Sequence, residues 1–494
     1  MIGNIGKMNK RLLTLIIVVV VIALLCGVLL LLLNMEPEAA GESSSAVTPA
    51  TQYLITDKKA ADVKTVDVVN ETGSFTVART GEDFTIASYL APGASGVVPL
   101  SGDIKYTATA LESFVNEFFT ATVSTKIEGA ENNLAVYGLD KPRAALTVHY
   151  ADGASFALML GNEAPDGASN YLYNPQTKEV WLSSKSNLTR ALNSKEWYAD
   201  KQLMPVKEEE TQTFEKLVLG GSYRPAEIVL EAVKQDTSEA STAVPMSSGF
   251  KMTAPKERDT AITRVTEMAE GLWGMTAASA VVLDPTPDDL ADTGLDVPYS
   301  TMASTIDGQE VVIKLGGKTA DGQYYCQTSL NKPIYTVSAE VVPWVEYTAF
   351  MLHDKFAKLP NINTVSAMTV EYDGAVHRFT VGHAEENTVL ASYGGKDIEE
   401  SVFKAFYQLI ISASGEYELP ETLPEGTAAL MRFTYEYVEA GKTPDVVEFK
   451  PLSDRQCIIY VNGEPQFIIR TKYLDKVKSS VVQVLAGEKV VVDW

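Results

Sequence analysis

Cysteine and histidine are nearly missing from this chain, with three of the first and four of the second among 494 residues. So few thiols exclude a disulfide-stapled scaffold, and so few thiols and imidazoles together exclude a Cys/His-rich metal protein. Basic charge is short as well. Only 41 lysines and arginines face 64 acidic residues, a net charge of −23, which excludes a sequence-independent grip on nucleic acid built from clustered cations. Long apolar runs occur once: outside 12–33 no segment approaches ~18 consecutive apolar residues, so one membrane span is the most the sequence supports. Catalytic signatures are absent too. There is no Gly-rich phosphate loop, His-Glu-x-x-His, Cys-x-x-Cys or Gly-x-Ser-x-Gly.

What is present is enough to fold. Hydrophobic residues make up 46% and charged residues 21%, and the length suits roughly three domains at about 150 residues each. The run 12–33 carries no charge; as a helix at ~1.5 Å per residue it spans ~33 Å, matching a ~30 Å hydrocarbon core. Lys7, Lys10 and Arg11 precede it, and Glu36, Glu38 and Glu42 follow it. This asymmetry predicts a cytoplasmic N-terminus and an extracytoplasmic remainder. The alternative is a cleaved signal peptide at Ala39-Ala40-Gly41, but its apolar region should be ~7–15 residues, shorter than this run. Cys26 lies inside the run with no small residue just before it, so it reads as an inert lipid-facing or packing thiol. Between 34 and 52, Pro37, Gly41, Ser43, Ser44, Ser45 and Pro49 with no aromatic residue until Tyr53 read as a stalk.

The outer part repeats itself. Glu131-Asn132-Asn133-Leu134-Ala135-Val136-Tyr137-Gly138-Leu139-Asp140-Lys141-Pro142 returns as Pro287-Asp288-Asp289-Leu290-Ala291-Asp292-Thr293-Gly294-Leu295-Asp296-Val297-Pro298. Downstream, Asp152-Gly153 returns as Asp307-Gly308, Leu160-Gly161 as Leu315-Gly316 and Asp166-Gly167 as Asp321-Gly322. Alternation at Val66, Val68, Phe75, Val77, Phe84 and Ile86 predicts an opening hairpin. A helix should follow, with Leu111, Phe114, Val115, Phe118 and Phe119 on one face, and in the second unit Ile262, Val265, Met268, Ala269, Leu272 and Trp273. Then comes the Gly-Leu-Asp-x-Pro corner, a hairpin across Asp-Gly, two more strands and a closing helix near 187–197. A third unit starts at Asn361, with hairpins at Asp373-Gly374 and Asn462-Gly463, a helix from about Asp397 and a last helix near Tyr473. It lacks the corner; Leu423-Pro424-Glu425-Gly426 is the nearest substitute.

Individual reactive residues read as bland. Ser329–Lys332 and Ser401–Lys404 are short Ser-x-x-Lys strings without the accompanying Ser-Asp-Asn and Lys-Thr-Gly. His377 and His383 sit six apart on one strand and lack a third ligand. Asp284, Asp288, Asp289, Asp292 and Asp296 lack the alternation of a Ca²⁺ loop and read as helix punctuation, with Asp284 capping and Pro285 in the first turn. Cys326 and Cys457 read as buried free thiols. No catalytic residue, cofactor site or metal ligand is nominated.

The corner residues Tyr137, Gly138, Leu139, Asp140 and Pro142, with Gly294, Leu295, Asp296 and Pro298, carry a resemblance to the bacterial family catalogued as domain of unknown function 4340. The hairpin ending in Leu-Gly and the tyrosine-bearing strand belong to the same pattern. The resemblance covers about 62 to 356 and implies a membrane-anchored protein found beside an ABC transporter with an auxiliary, gliding-motility-type component. The expected fold class is α+β: a single transmembrane helix followed by tandem repeats of antiparallel sheet plus helices. The expected organisation is a cytoplasmic tail (1–11), the span (12–33), an extracytoplasmic linker (34–55) and three units (56–210, 211–358 and a diverged 359–494). The expected function is that of a non-catalytic accessory or scaffold of an ABC-type export system. Its partners would be the lipid bilayer through 12–33, a transporter permease and an auxiliary subunit, with no nucleic acid. A cell-envelope module binding glycan, peptide or surface protein is the alternative.

Overall fold

The computed structural model describes residues 52–91, 96–233, 248–384, 388–424 and 426–494. The expected tail, the span 12–33 with Cys26, and the linker up to residue 51 lie outside the described residues. Among those described, no helix is long and apolar enough to cross a membrane.

The fold is mostly antiparallel β-sheet, which corrects the α+β expectation. Three sheets of ten, nine and eight strands dominate, and only six α-helices accompany them among the described residues. Helix was over-read from apolar spacing. At 187–197 the chain makes two 3₁₀ turns, Thr189–Leu192 and Lys195–Tyr198, separated by extended backbone at Asn193 and Ser194. Leu188, Ala191 and Tyr198 are still buried, so short turns deliver the same apolar groups to the core as a helix would.

The three sheets share one strand order. In the first, the central pair is Val63–Asn70 beside Ala144–Tyr150. Gly73–Thr80, Asp83–Leu90 and Val97–Pro99 extend it on one side. On the other side come Ser155–Glu163, Ser169–Asn174, Glu179–Ser184, Thr122–Lys126 and Gln52–Tyr53. The second sheet repeats this around Lys216–Gly220 beside Ser300–Ile306, and the third around Val365–Tyr372 beside Met431–Tyr437. Alternation explains the faces: Ala144–Tyr150 and Ser300–Ile306 show the same strict buried/half-buried alternation. Two-residue hairpin turns at Asp307-Gly308, Asp373-Gly374 and Asn462-Gly463 have positive φ at both positions, the conformation that Asp-Gly and Asn-Gly supply for type I′ turns.

In each unit one helix lies between the fourth hairpin strand and the return to the sheet: Ala108–Thr120, Ile262–Leu272 and Glu400–Ile411. Their buried faces correspond, with Leu111, Phe114, Val115 and Phe118 answering to Val265, Met268, Ala269 and Leu272, and to Phe403, Phe406, Tyr407 and Ile410. After the helix, the first two units add an edge strand, Thr122–Lys126 or Ser279–Val282. In the third unit that strand shrinks to one bridge, Tyr417 against Ile468. The closing helix of the third unit, Lys472–Leu485, is present as expected.

The cores are distributed unevenly. One apolar cluster runs unbroken through the first two sheets, from Ile55 to Leu352. The third sheet has its own, from Val365 to Val490.

Candidate functional site

The corner residues come together, but as a packing device. Gly138 and Gly294 end short helices, Leu134–Tyr137 and Pro287–Thr293, in the left-handed region at φ 66° and 70°. There glycine avoids the Cβ penalty. Leu139 and Leu295 turn inward and are buried, whereas Asp140 and Asp296 are exposed. Pro142 and Pro298 are half-buried at the entry to the next strand. Tyr137 packs edge-on against Tyr171 with ring centroids 4.8 Å apart. The corner carbonyls rest on the Leu-Gly glycines: a Cβ on Gly161 would fall 2.4 Å from the Tyr137 oxygen, and one on Gly316 would fall 2.2 Å from the Thr293 oxygen. The spaced motif is therefore one contact, between a helix end and a hairpin.

The other singled-out residues are occupied locally. The capping assignment at Asp284 is corrected: Thr286 is the cap and shares a capping box with Asp289, with Pro287 in the first turn. Asp284 instead accepts from the Ser101 amide at 3.0 Å and pairs with Lys332 at 2.6 Å, tying the second unit to the first. Ser329 accepts from the Val312 amide at 2.9 Å, and Ser401 donates to Glu399. His377 stacks on Tyr372, and His383 donates to the Val365 carbonyl at 3.0 Å. Cys326 and Cys457 are free and buried, and burial pushes both thiols up to about 12. Among the described residues no group of three His, Cys, Asp or Glu is placed to hold a metal ion.

The feature with the shape of a binding site is a cavity of 630 Å³ in the third unit. Its floor is the helix Glu400–Ile411, which presents Lys404, Tyr407, Gln408 and Ile411, the i, i+3, i+4, i+7 stripe of one helix face. The segment 358–364 forms one wall, and Tyr437, Lys442 and Asp445 the other. Apolar surface from Leu359, Pro360, Ile362 and Ile411 predominates inside. Tyr407 is fixed by donating to the Pro360 carbonyl at 2.9 Å, and its burial raises the phenol above its ordinary value.

Three ammonium groups line the cavity. Lys358 pairs with Asp445 at 3.1 Å, and Lys404 with Glu400 at 2.7 Å. Lys442 lies over the Tyr437 ring, 4.0 Å from its centroid, and no carboxylate pairs with it among the described residues. Burial works to raise the Asp445 carboxyl, but hydrogen bonds from Asn462, Tyr437 and Lys358 outweigh it and hold the group below its ordinary range. Asp445 therefore stays ionised and anchors one wall. Such a site can bind and orient an apolar, negatively charged group; its lining supplies no thiol or imidazole nucleophile.

Sequence reasoning missed this cavity, although it placed a helix from about Asp397 and noticed Lys404 within a Ser-x-x-Lys string. The three lysines come from three separate segments, so no local charge cluster marks them.

Residues 98–298 match the family described as Domain of unknown function (DUF4340). This is narrower than the 62–356 read from the sequence. The match starts in the edge strand Val97–Pro99 of the first sheet and ends at Pro298, taking in both corners. No curated protein matches the chain.

Proposed function

We propose that the chain is an extracytoplasmic accessory or scaffold of a bacterial ABC-type, gliding-motility-like export system, with no catalysis of its own. In this reading the apolar stretch 12–33 sits in the bilayer, the N-terminus is cytoplasmic, and the outer units meet a permease and an auxiliary subunit. The observation that carries the scaffold reading is the repetition of one strand order in three sheets. Tandem units of one design build an extended surface whose role is contact. The transporter setting comes from the resemblance to the family matched over residues 98–298, parts of the first two units. Purification of the full chain from native membranes should recover an ATPase and a multi-span permease; recovery of neither would sink this reading.

The cavity of the third unit favours a second reading, an envelope module that binds a ligand. Its size falls within the ~300–1,000 Å³ of small-molecule sites, and apolar walls with a few placed charges are their usual make-up. Melting shifts against a panel of envelope glycans, peptides and small organic acids test it, and a panel without a single shift would exclude it.

A further inference from the structure

The helix positions that floor the cavity also line a hollow in the second unit, where they are Thr266, Ala269, Glu270 and Trp273. The two sets correspond through the buried faces of their helices, Ala269 to Tyr407 and Leu272 to Ile410. There, Trp273 stands where the third unit has Ile411, and it stacks on Phe214 with centroids 4.3 Å apart. The hollow that remains is 260 Å³, against 630 Å³ in the third unit. Lys404 is replaced by threonine and Gln408 by glutamate, and among the described residues no lysine lines the second hollow. One architectural position has thus been left open and made cationic in the third unit alone of these two.

The charges define the occupant further. Asp445 balances Lys358 and Glu400 balances Lys404, which among the described residues leaves one uncompensated ammonium, that of Lys442. One cation beside an apolar chamber complements a monoanion with an apolar body. A dianionic phosphate would leave one charge unmatched. A cation would meet the unbalanced ammonium of Lys442, and like-charge juxtaposition is unfavourable. In a chain of net charge −23, this local reversal of sign also concentrates anions at a place the rest of the surface repels them from.

We propose that the third-unit cavity binds a small apolar monocarboxylic acid, its body against Pro360, Ile362, Tyr407 and Ile411 and its carboxylate on Lys442. This deepens the ligand-binding reading and rests on it. The test uses the full chain in nanodiscs of zwitterionic lipid, titrated by calorimetry with 4-phenylbutyrate, 4-phenylbutanol and 4-phenylbutylamine. Gln408, which is exposed and lines the cavity, changed to Trp (Gln408→Trp) fills the chamber and supplies the background for lipid partition. The acid should bind saturably at one site, about tenfold or more tighter than the alcohol, and the amine should not bind. Lys442→Gln should erase the advantage of the acid and leave the alcohol unchanged, while Gln408→Trp should remove both. Equal binding of acid and alcohol, indifference to Lys442→Gln, persistence in Gln408→Trp, or no binding of the acid would each overturn the proposal. If the acid fails while another panel ligand shifts the melting temperature, only this assignment falls; if nothing shifts it, the binding reading falls with it.

Discussion

Gly316 has no room for a methyl group, and its backbone is not in the left-handed region, so the restriction is purely steric. A Cβ there would lie 2.2 Å from the Thr293 carbonyl oxygen and 3.0 Å from the Gly294 carbonyl carbon. Both are backbone atoms, held by the bonds that close the helix Pro287–Thr293, so neither yields cheaply. Its neighbour Gly317 is a built-in control, because the nearest atom to a Cβ there is 3.6 Å away, an ordinary contact. Gly316→Ala should therefore cost about 1–3 kcal/mol, the range for overpacking a tight site, while Gly317→Ala should stay within about 0.5 kcal/mol. Denaturant titration of both variants checks the contrast, and equal losses would show that the corner does not press on this glycine.

At the scale of elements, the helix Ile262–Leu272 carries a glycine one residue before its end. A Cβ on Gly271 meets nothing within 4 Å, so Gly271→Ala should stabilise by about 0.5–1 kcal/mol through backbone entropy alone. A melting temperature raised by roughly 1–4 °C is the expected reading; a fall would mean the helix end must bend in a way alanine resists. The elements also show what was legible beforehand. Hairpins across Asp-Gly and Asn-Gly were readable because the turn dictates φ and strand alternation dictates the face, both within a dozen residues. A helix from about Asp397 was legible for the same reason, and it lies at Glu400–Ile411. The closing segment 187–197 was not, since Leu188, Ala191 and Tyr198 reach the core equally well from 3₁₀ turns. The cavity was least legible: Lys358, Lys404 and Lys442 meet only because strand pairing brings the end of Met431–Tyr437 beside the start of Val365–Tyr372. Local pattern carries no trace of that register.

At the scale of the whole molecule, the two junctions differ in kind. Between the first and second units the side chain of Asn331 is buried, accepting from the Lys105 amide at 2.9 Å and donating to the Lys105 carbonyl at 2.9 Å. Tyr335 donates to the Asp200 carbonyl at 2.6 Å, and the apolar core is continuous across the boundary. Between the second and third units the core is interrupted. The contact there includes one isolated bridge, Phe356 against Ser414, with His353 stacked on Phe467 at 5.1 Å and Arg258 over the same ring at 5.1 Å. Calorimetry should therefore resolve two transitions, the first two units melting as one and the third by itself; a single peak, or three, would contradict this division. Acid should act on the second junction. His353 is buried, and burial lowers its pKa from 6.5 to about 4; the hydrogen bond to the Asp354 carbonyl opposes this, and Arg258 and Lys355 nearby add to it. The unfolded imidazole takes up a proton near pH 6.5, which the native one refuses until about pH 4. The unfolded state thus binds more protons in that window, and stability falls as pH drops from 6.5 to 4, by up to roughly 2 kcal/mol. The groups that face the ring are Arg258, Lys355 and Asp354, with Asp259 beside Asp354. Burial raises the Asp354 carboxyl above its ordinary value, so its proton preference has the opposite sign to that of His353. His353→Gln removes only the imidazole contribution, and the difference between wild type and variant should flatten above pH 6.5 and shrink steadily below it. Parallel pH profiles for the two proteins would show that His353 is not what makes this junction sensitive to acid.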